Sequence, residues 1–177
     1  IGDSNVFREG VTAHRGTGAG GGLTKIGSYN LQMPYVHIAH DCIVGDNTVF
    51  ANNVGISGHV QVGDWTILGG YAGINQFLKI GAHAMVGGMT HITNDIPAYM
   101  IVSGRPATVR SINTIGLERR GFDKETIQDL REAFKVIYKR NYSLQEAIDQ
   151  LKAMGDGCET LQTLIDSLES SEKGIHR

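Results

Sequence analysis

The sequence predicts a parallel β-helix of hexapeptide repeats, capped by a C-terminal bundle of α-helices. An aliphatic residue followed by glycine recurs every eighteen residues, at Ile26, Val44, Val62 and Ile80. Eighteen is three hexads, and eleven of the twelve residues spaced by six from Ile26 to Ile92 are apolar. After residue 120 the apolar residues recur at helical spacing instead. A period of six suits neither an α-helix nor a long alternating strand, and it is typical of coils in which three short faces close a triangle.

The first 25 residues combine part of an earlier coil with an interruption. Ile1, Phe7 and Ala13 are six apart, and because the chain begins in mid-repeat we expect further coils upstream. Residues 15–25 then break the count, and their glycines predict an inserted loop. The loop contains a GxGxxG pattern, but a dinucleotide site needs a strand before it and a helix after it, so that interpretation is disfavoured.

Unbroken hexads run from Ile26 to Ile92 and predict close to four coils, a prism roughly 19 Å long at about 4.8 Å per coil. Turn-forming residues at 95–97 and 104–106 are expected to end the repeat. We therefore assign residues 1–112 to a β-helix domain and residues 113–177 to a helical domain.

Three amphipathic helices are predicted in the second domain. Asp123 is expected to cap the first, and Ser143 with Glu146 forms a capping box ahead of the second. The third follows a turn predicted at 155–157. Each pattern has one apolar stripe and none is apolar all round, so we expect a small bundle that seals the open end of the prism.

Composition narrows the class of partner and the compartment. The formal net charge of −2 argues against a nucleic-acid partner held by phosphate contacts. Cys42 and Cys158 lie far apart in no pairing motif, which indicates a reducing compartment and hence the cytoplasm. No apolar run is long enough to span a membrane. Residues 105–140 carry nine Lys or Arg against five Asp or Glu, so we expect a local basic surface.

The eighteen-residue period also predicts which side chains stack from one coil to the next. It places Gly58 next to His40, Gln76 beyond Gly58, and His59 next to Asp41. An imidazole titrates near neutral pH, so an exposed His40 is a candidate general base, and Asp41 its candidate partner if a corner brings the two together. Gly58 leaves a backbone N–H unshielded about 4.8 Å along the axis, where it can serve a developing oxyanion.

A general base beside a backbone donor predicts acyl transfer. No serine or cysteine is placed as a nucleophile, so direct attack by a bound acceptor is favoured over an acyl-enzyme. Two other interpretations stay open. The imidazoles of His37, His40 and His59 would suit a zinc site in a trimeric metalloenzyme of the carbonic-anhydrase type. A non-catalytic scaffold that only trimerises would leave the same histidines as solvated surface residues.

Three stretches resemble the UDP-N-acetylglucosamine O-acyltransferases that begin lipid A synthesis. They are HIAHDC at 37–42, Gly87-Gly88 with its flanking hexads, and NTIGLERRGF at 113–122. The resemblance implies a left-handed β-helix that assembles as a homotrimer, with active sites between neighbouring prisms. It implies transfer of an (R)-3-hydroxyacyl group from acyl carrier protein to the sugar 3-hydroxyl, with no cofactor and no metal. The N-acyltransferase of the same pathway is the nearest alternative, but the HIAHDC and GLxRRGF forms favour the O-acyl enzyme.

The resemblance also implies a role for individual residues. His40 matches the general base, Asp41 its partner and Gly58 the oxyanion donor. Seven further residues match positions that contact the substrates: His37, His59 and Gln76 toward the sugar nucleotide or the acyl chain, Gly88 where acyl length is set, and Asn113, Arg119 and Arg120 toward the nucleotide from a neighbouring subunit.

The chain departs from the family pattern in several places. Asn75 stands where some members have histidine, and Ile115 stands where some have glutamate. Met89 after Gly88 leaves the acyl length open, and no part of the chain matches the upstream coils that hold the sugar nucleotide. Seven basic residues are expected to meet the acidic carrier protein, although the last three would also suit a solvated helix face. They are Arg105, Arg110, Arg119, Arg120, Lys135, Lys139 and Arg140.

Overall fold

A computed structural model of the chain describes residues 1–154 and 158–176. The turn predicted at 155–157 lies outside the described residues. In the described part of the chain, no helix is both long enough and apolar enough to cross a membrane.

Short parallel strands build the first half of the molecule, as the hexads predict. Fourteen of them have two residues each. They are β1 (Val6–Phe7), β2 (Thr12–Ala13), β3 (Lys25–Ile26), β4 (Leu31–Gln32), β5 (His37–Ile38), β6 (Ile43–Val44), β7 (Val49–Phe50), β8 (Gly55–Ile56), β9 (Gln61–Val62), β10 (Ile67–Leu68), β11 (Gly73–Ile74), β12 (Lys79–Ile80), β13 (Met85–Val86) and β14 (His91–Ile92).

These strands form three parallel sheets, one on each face of a prism, so the predicted parallel β-helix is confirmed. The strand orders are β1-β4-β7-β10-β13, β2-β5-β8-β11-β14 and β3-β6-β9-β12. Each strand pairs with the third strand after it, and the register is eighteen residues, as in Val49 opposite Ile67. In the first coil the register is 25, with Val6 opposite Leu31, because the loop before β3 adds seven residues.

The hexad residues fill the prism. From β3 onward, the second residue of every two-residue strand is buried, and the small or apolar residue two positions before it is buried in most coils. Gln32 is the one polar residue at a hexad position, and it is fully buried between Phe7 and Phe50 in the stack of strands. Among the described residues, neither its amide nitrogen nor its amide oxygen has a hydrogen-bond partner.

From Tyr29 to Met89 every corner of the prism is a tight turn whose second residue has a positive φ, a conformation that L-residues rarely adopt. Eleven non-glycine residues occupy this position in those corners, and Tyr99 occupies it in the last coil. The twelve residues are Tyr29, Tyr35, Asp41, Asn47, Asn53, His59, Trp65, Tyr71, Phe77, His83, Met89 and Tyr99. Their side chains point away from the prism axis, so the three corners carry three columns of outward side chains.

The repeat continues beyond residues 95–97, the first of the two turns expected to end it, and stops at the second, at 104–106. Ile96 still pairs in parallel with Ile80, and β15 (Met100–Ser103) pairs in parallel with β13. In both pairs the register has shortened to sixteen residues, which is why Pro97 looked like a terminator in the hexad count. The chain turns back only at 104–107 into β16 (Thr108–Ile112), which is antiparallel to β15.

The helical part contains the three predicted helices and one short helix that was not predicted. They are α1 (Thr114–Arg119), α2 (Lys124–Lys139), α3 (Leu144–Met154) and α4 (Glu159–Glu169). Asp123 caps α2 by accepting from the Thr126 N–H at 2.7 Å. Ser143 and Glu146 bond each other's backbone N–H groups at 3.2 and 2.7 Å, which is the predicted capping box.

The helices dock on the last coil through α4 and the residues that follow it. The Ser167 hydroxyl accepts a hydrogen bond from the Ala98 N–H at 3.0 Å. Asp95 accepts from the Ser171 hydroxyl, and its N–H donates to the Gly174 carbonyl. The buried His176 ring then accepts from the backbone N–H groups of Thr93 and Asn94, both at 3.2 Å. The C-terminal segment is therefore tied to the final turn of the β-helix.

Candidate active site

The site begins with a corner between β5 and β6, where His40 and Asp41 form the turn. Side chains of adjacent strand residues point to opposite faces, but Asp41 has a φ of 59°, which turns its carboxylate toward the preceding residue. His40 Nδ1 lies 2.8 Å from Asp41 Oδ2. The corner that this pairing requires is therefore present. The His40 side chain is 43% exposed, whereas that of Asp41 is 1% exposed.

Asp41 is held as a carboxylate by donors that converge on it. The Thr17 N–H donates to Oδ1 at 2.9 Å and the Thr17 hydroxyl to Oδ2 at 2.7 Å. Its backbone N–H in turn donates to the Thr24 hydroxyl at 2.8 Å. Burial pushes the pKa of Asp41 up, but the hydrogen bonds from Thr17 and His40 outweigh it and lower the pKa to about 2. Asp41 is ionised at neutral pH, so it accepts the Nδ1 proton of His40 and leaves Nε2 as the free basic nitrogen.

Thr17 and Gly20 belong to the inserted loop, and neither residue was predicted to have a role in the site. The seven extra residues enter at the corner directly below His40, because Ala13 pairs with Ile38 while Lys25 pairs with Ile43. A Cβ on Gly20 would lie 2.3 Å from Asp41 Cγ and 2.6 Å from His59 Cε1. The loop is therefore packed against the carboxylate. The sequence did contain a signal for this contact, because the six-residue repeat is interrupted at the same corner as the predicted site.

Gly58 occupies the same corner one coil further on, under the His40 ring. Its backbone N–H donates no hydrogen bond to any described residue. At another corner the equivalent N–H of Asp46 is covered, since it donates to Asp64 Oδ1 at 2.8 Å. With no side chain to shield it, the Gly58 N–H is an open donor beside the candidate base, as the stacking predicted.

His59 lies beside the same carboxylate. Its Nε2 is 3.9 Å from Asp41 Oδ2, and its ring meets that of His40 edge-on at 5.3 Å. On its other side it stacks on Phe77 at 4.5 Å. Ligand atoms of His40, Asp41 and His59 lie within 4.8 Å of one another, the only such grouping found among the described residues.

His37 is not part of that grouping, so the three imidazoles considered as an alternative zinc site do not come together within one chain. It sits on the flat face of the prism in β5, where its Nδ1 is 2.8 Å from the Thr12 hydroxyl and its ring contacts His14 at 4.8 Å. Burial, with a smaller effect from His14, lowers the pKa of His37. A residue on the face and a residue at the corner point in different directions, which the six-residue count could not resolve.

A shallow groove of about 410 Å³ runs from His37 and Gly58 to His91. Gly55 and Gly73 form its floor, at strand positions whose side chains would point outward. Asn75, whose Oδ1 accepts a hydrogen bond from His91 Nε2 at 2.8 Å, lines its far side. The groove offers an extended surface next to the candidate base.

The other predicted residues are spread over the molecule. Gln76 is exposed at the same corner as His40, two coils further along the prism. Gly88 lies at a different corner, where a Cβ would sit 3.2 Å from the Gly70 carbonyl oxygen. Arg119 is exposed, whereas Asn113 is buried and Arg120 is half-buried against Trp65 and His83 at the third corner. One chain therefore does not bring these residues to His40.

Cys42, next to the pair in sequence, is not a nucleophile for this site. It points into the prism, and its thiol donates to the Ser57 carbonyl at 3.1 Å. Burial raises the pKa of this thiol, so the reactive thiolate is disfavoured. The chemistry available at the corner is thus removal of a proton by His40 Nε2 and stabilisation of an oxyanion by the Gly58 N–H.

Comparison with known proteins identifies relatives along the whole chain. The sequence model described as UDP N-acetylglucosamine O-acyltransferase, domain 2, matches residues 95–176, and that of the bacterial transferase hexapeptide (six repeats) matches residues 23–58. An acyl-[acyl-carrier-protein]–UDP-N-acetylglucosamine O-acyltransferase from Saccharophagus degradans is 52% identical over 177 residues, which is 100% of this chain and 69% of that protein. The protein of the same name from Pseudomonas aeruginosa is 44% identical over the same shares.

Solved structures agree with the sequence relatives. LpxA from Acinetobacter baumannii superposes with a TM-score of 0.97 at 52% identity, over 99% of this chain and 69% of that one. The UDP-N-acetylglucosamine acyltransferase of Francisella novicida gives a TM-score of 0.97 at 37% identity, over 99% and 64% of the two chains. The similarity therefore includes the β-helix, the inserted loop and the helices.

Proposed function

This chain belongs to the UDP-N-acetylglucosamine O-acyltransferase family, and we propose that it catalyses the first step of lipid A biosynthesis with His40 as the general base. The acyl donor is an (R)-3-hydroxyacyl group on acyl carrier protein, and the acceptor is the 3-hydroxyl of UDP-N-acetylglucosamine. The observation that carries the assignment of the base is the exposed His40 imidazole, oriented by the buried Asp41 carboxylate at 2.8 Å and seated over an open backbone N–H.

The reaction follows from these three groups. His40 Nε2 removes the proton of the sugar 3-hydroxyl while that oxygen attacks the thioester carbonyl carbon. The carbonyl oxygen becomes an oxyanion and receives a hydrogen bond from the Gly58 N–H. Asp41 stabilises the imidazolium that has formed. When the C–S bond breaks, the thiolate of the carrier takes the proton from His40, which regenerates the base and releases the ester.

We assign substrate contacts to the residues around this centre. His37, His59 and Gln76 are proposed to contact the sugar nucleotide or the acyl chain, and for His37 the groove over Gly55 and Gly73 supports this, because it runs from His37 to Gly58 beneath the base. Gly88 is proposed to set acyl length, and the segment of Asn113, Arg119 and Arg120 is proposed to reach the nucleotide. Because the last group lies at a different corner from His40, this assignment requires a second chain.

The need for a second chain supports a homotrimer with sites between prisms, which we propose as the assembly. The division into domains at 112/113 is likewise proposed, because β16 ends at Ile112 and α1 begins at Thr114. Two free cysteines and a substrate carried on acyl carrier protein support a cytoplasmic location.

An acidic carrier protein is proposed to dock on the first long helix. A groove of about 660 Å³ between α2 and β16 has an apolar floor that includes Ile112 and Phe134. Four cations surround it. They are Arg131, Lys135, Lys139 and Arg140. Opposite charge would steer the carrier to this face, and the attraction would weaken as salt rises.

His40→Gln tests the proposal in an assay that follows carrier thiol release and identifies the sugar product by mass spectrometry. We expect kcat to fall by about 10²- to 10⁴-fold, the usual contribution of a general base, with the melting temperature unchanged because the ring is partly exposed. Tyr29→Gln, which alters an exposed side chain at another corner, is the control. Wild-type turnover by His40→Gln would refute the assigned base.

The acceptor is tested separately. With UDP-N-acetylglucosamine we expect an ester, and a 3-amino analogue of the sugar nucleotide should react more slowly. Faster amide formation would indicate the N-acyltransferase instead. Absence of any acylated product from the wild-type protein would overturn the proposed reaction.

A further inference from the structure

Three aromatic side chains form a continuous column at a different corner of the prism from the general base. Trp65, His83 and Tyr99 occupy the positive-φ position in successive coils. The Trp65 and His83 rings stack at 6.3 Å with a 12° interplanar angle, and the His83 and Tyr99 rings stack at 5.4 Å and 22°. Phe122 closes the side of the column with edge contacts to His83 at 5.1 Å and to Tyr99 at 6.2 Å.

Arg120 is fastened to this column by three contacts. Its Nη2 donates to the Trp65 carbonyl oxygen at 2.8 Å, and its Nη1 lies 3.2 Å from His83 Nδ1. Its Cζ lies 5.4 Å from the centroid of the Trp65 ring, in range of a cation–π interaction. A guanidinium is always charged and only donates, so His83 Nδ1 must be the acceptor. Burial, and then the Arg120 charge, lower the pKa of His83 to about 4, against a smaller opposing effect of Asp64, and the ring is neutral at pH 7.

Asn113 fastens the other end of helix α1 to the same histidine. Its Nδ2 donates to the His83 carbonyl oxygen at 2.9 Å, and its Oδ1 accepts from the Gly116 N–H at 3.2 Å as the helix cap. Leu117 anchors the helix between them and is fully buried. Residues at both ends of α1 are thus bound to His83.

Arg119 differs from both of its neighbours in this segment. It is exposed, and its side chain makes no hydrogen bond or ion pair with any described residue. All of its donors remain for a ligand, whereas the Asn113 amide and the Arg120 guanidinium already serve groups of their own chain. A planar guanidinium is well matched to phosphate oxygens when its donors are free.

We propose that Arg120 is a positioning residue for the acyl-transfer reaction: with Asn113 it clamps α1 to His83, so that Arg119 is presented as the guanidinium that binds the phosphates of the sugar nucleotide. This inference rests on the proposed function for its ligand and on the contacts above for its geometry. Two adjacent arginines of one motif therefore have different roles: Arg119 binds the substrate and Arg120 holds the helix in place.

A double-mutant cycle separates the two roles. We expect Arg119→Met to raise the KM for UDP-N-acetylglucosamine at least about tenfold without changing the melting temperature, since a charged hydrogen bond to phosphate is lost. Arg120→Met should raise the same KM, but by less than about twofold once Arg119 is already Met, because it acts through Arg119. Lys124→Met, which removes an exposed cation just beyond the segment, is the control. Additive effects of the two substitutions would overturn the proposal.

Two measurements on the free protein test the clamp without any substrate. Arg120→Met should raise the pKa of the His83 imidazole in an NMR titration, because a neighbouring cation has gone, and should speed hydrogen exchange of the Leu117 amide at least about tenfold. Arg119→Met should change neither. Failure of both effects would refute the clamp, even if the assigned substrate were wrong.

Arg120→Lys is a second variant in case Arg120→Met does not fold. A lysine keeps the charge but lacks the planar fork whose two nitrogens bond Trp65 and His83 separately. Recovery of the wild-type KM with lysine would therefore indicate that Arg120 binds phosphate itself, whereas continued loss together with fast exchange supports the clamp.

Discussion

The His40 imidazole lies directly over the backbone of Gly58. A Cβ at position 58 would sit 2.7 Å from Cε1 and 2.9 Å from Nε2 of the ring. The φ of Gly58 is not in the left-handed region, so the glycine is required by the side chain of the preceding coil and not by its own backbone. The base and the oxyanion donor therefore constrain each other.

Gly58→Ala should displace the His40 ring and lower kcat by about 10²-fold or more, as expected for a misplacement near 1 Å at a reacting group. Gly70→Ala is the matched control, since Gly70 holds the same turn position at another corner and its Cβ would meet only Asn52 O at 3.4 Å and Ala51 Cβ at 4.0 Å. Steady-state kinetics and melting temperatures of both variants check this. Normal turnover by Gly58→Ala would show that the His40 ring can accommodate the added methyl group without losing its function.

Gly20→Ala should disturb the carboxylate clamp, because the added methyl group would overlap Asp41 Cγ. We expect the free energy of unfolding to fall by about 1–3 kcal/mol, as in other overpacked sites, together with a loss of activity. Gly18→Ala lies in the same 3₁₀ turn and meets nothing within 4 Å, so it should behave as wild type. Urea denaturation of the pair is the measurement, and equal stability of the two variants would contradict the packing argument.

Gln32→Leu should stabilise the protein by about 1–3 kcal/mol, because it removes two buried polar atoms that have no partner among the described residues. Gln61→Leu changes an exposed position of β9 and should stay within about 0.5 kcal/mol of wild type. Both values come from equilibrium denaturation. A destabilised Gln32→Leu protein would mean that the amide has a partner that the contacts above do not include.

His176→Gln should reduce the dependence of stability on pH between 7.5 and 5.5. Burial lowers the pKa of His176 in the folded state, and a hydrogen bond with the Ala107 backbone and the nearby Asp95 only partly oppose it. The unfolded chain then binds the proton more tightly, so stability is full above the unfolded pKa near 6.5 and is lost as pH falls toward the folded pKa. A glutamine oxygen can accept from Thr93 and Asn94 without titrating.

Denaturation midpoints of wild type and His176→Gln at several pH values check this prediction. Some dependence should remain in the variant, because the pKa values of His37 and His83 are also lowered on folding. His91→Gln is the control for loss of an exposed histidine. An identical pH dependence in wild type and His176→Gln would rule out the buried ring as a source of acid sensitivity.

The regular parts of the molecule could be predicted from sequence because their causes are local or periodic. The eighteen-residue register followed from the hexads, and it also placed Gly58 under His40. The caps of α2 and α3 followed from Asp123 and from Ser143 with Glu146, which need only three-residue spacing.

The remaining features depend on contacts that leave no periodic pattern in the sequence. Thr17 reaches Asp41 from a loop of irregular length, and α1 is a single short helix whose sequence contains a glycine and whose stability comes from Leu117 and the Asn113 cap. The shortened last coil at Ile96 resembled an end of the repeat. His37 was grouped with His40 because a count of six does not tell a face from a corner.

At the left-handed corners, the residue that best suits the backbone is not always the residue that the site needs. A non-glycine residue with positive φ costs on the order of 1–3 kcal/mol, least for asparagine or aspartate. Selection for thermal tolerance alone would thus accumulate asparagine at corners such as Tyr71, where the exposed side chain does little. At His59 or His83 the same exchange would relieve the backbone and remove a site contact. The imidazoles at those two turns therefore supply contacts at the expense of backbone conformational energy.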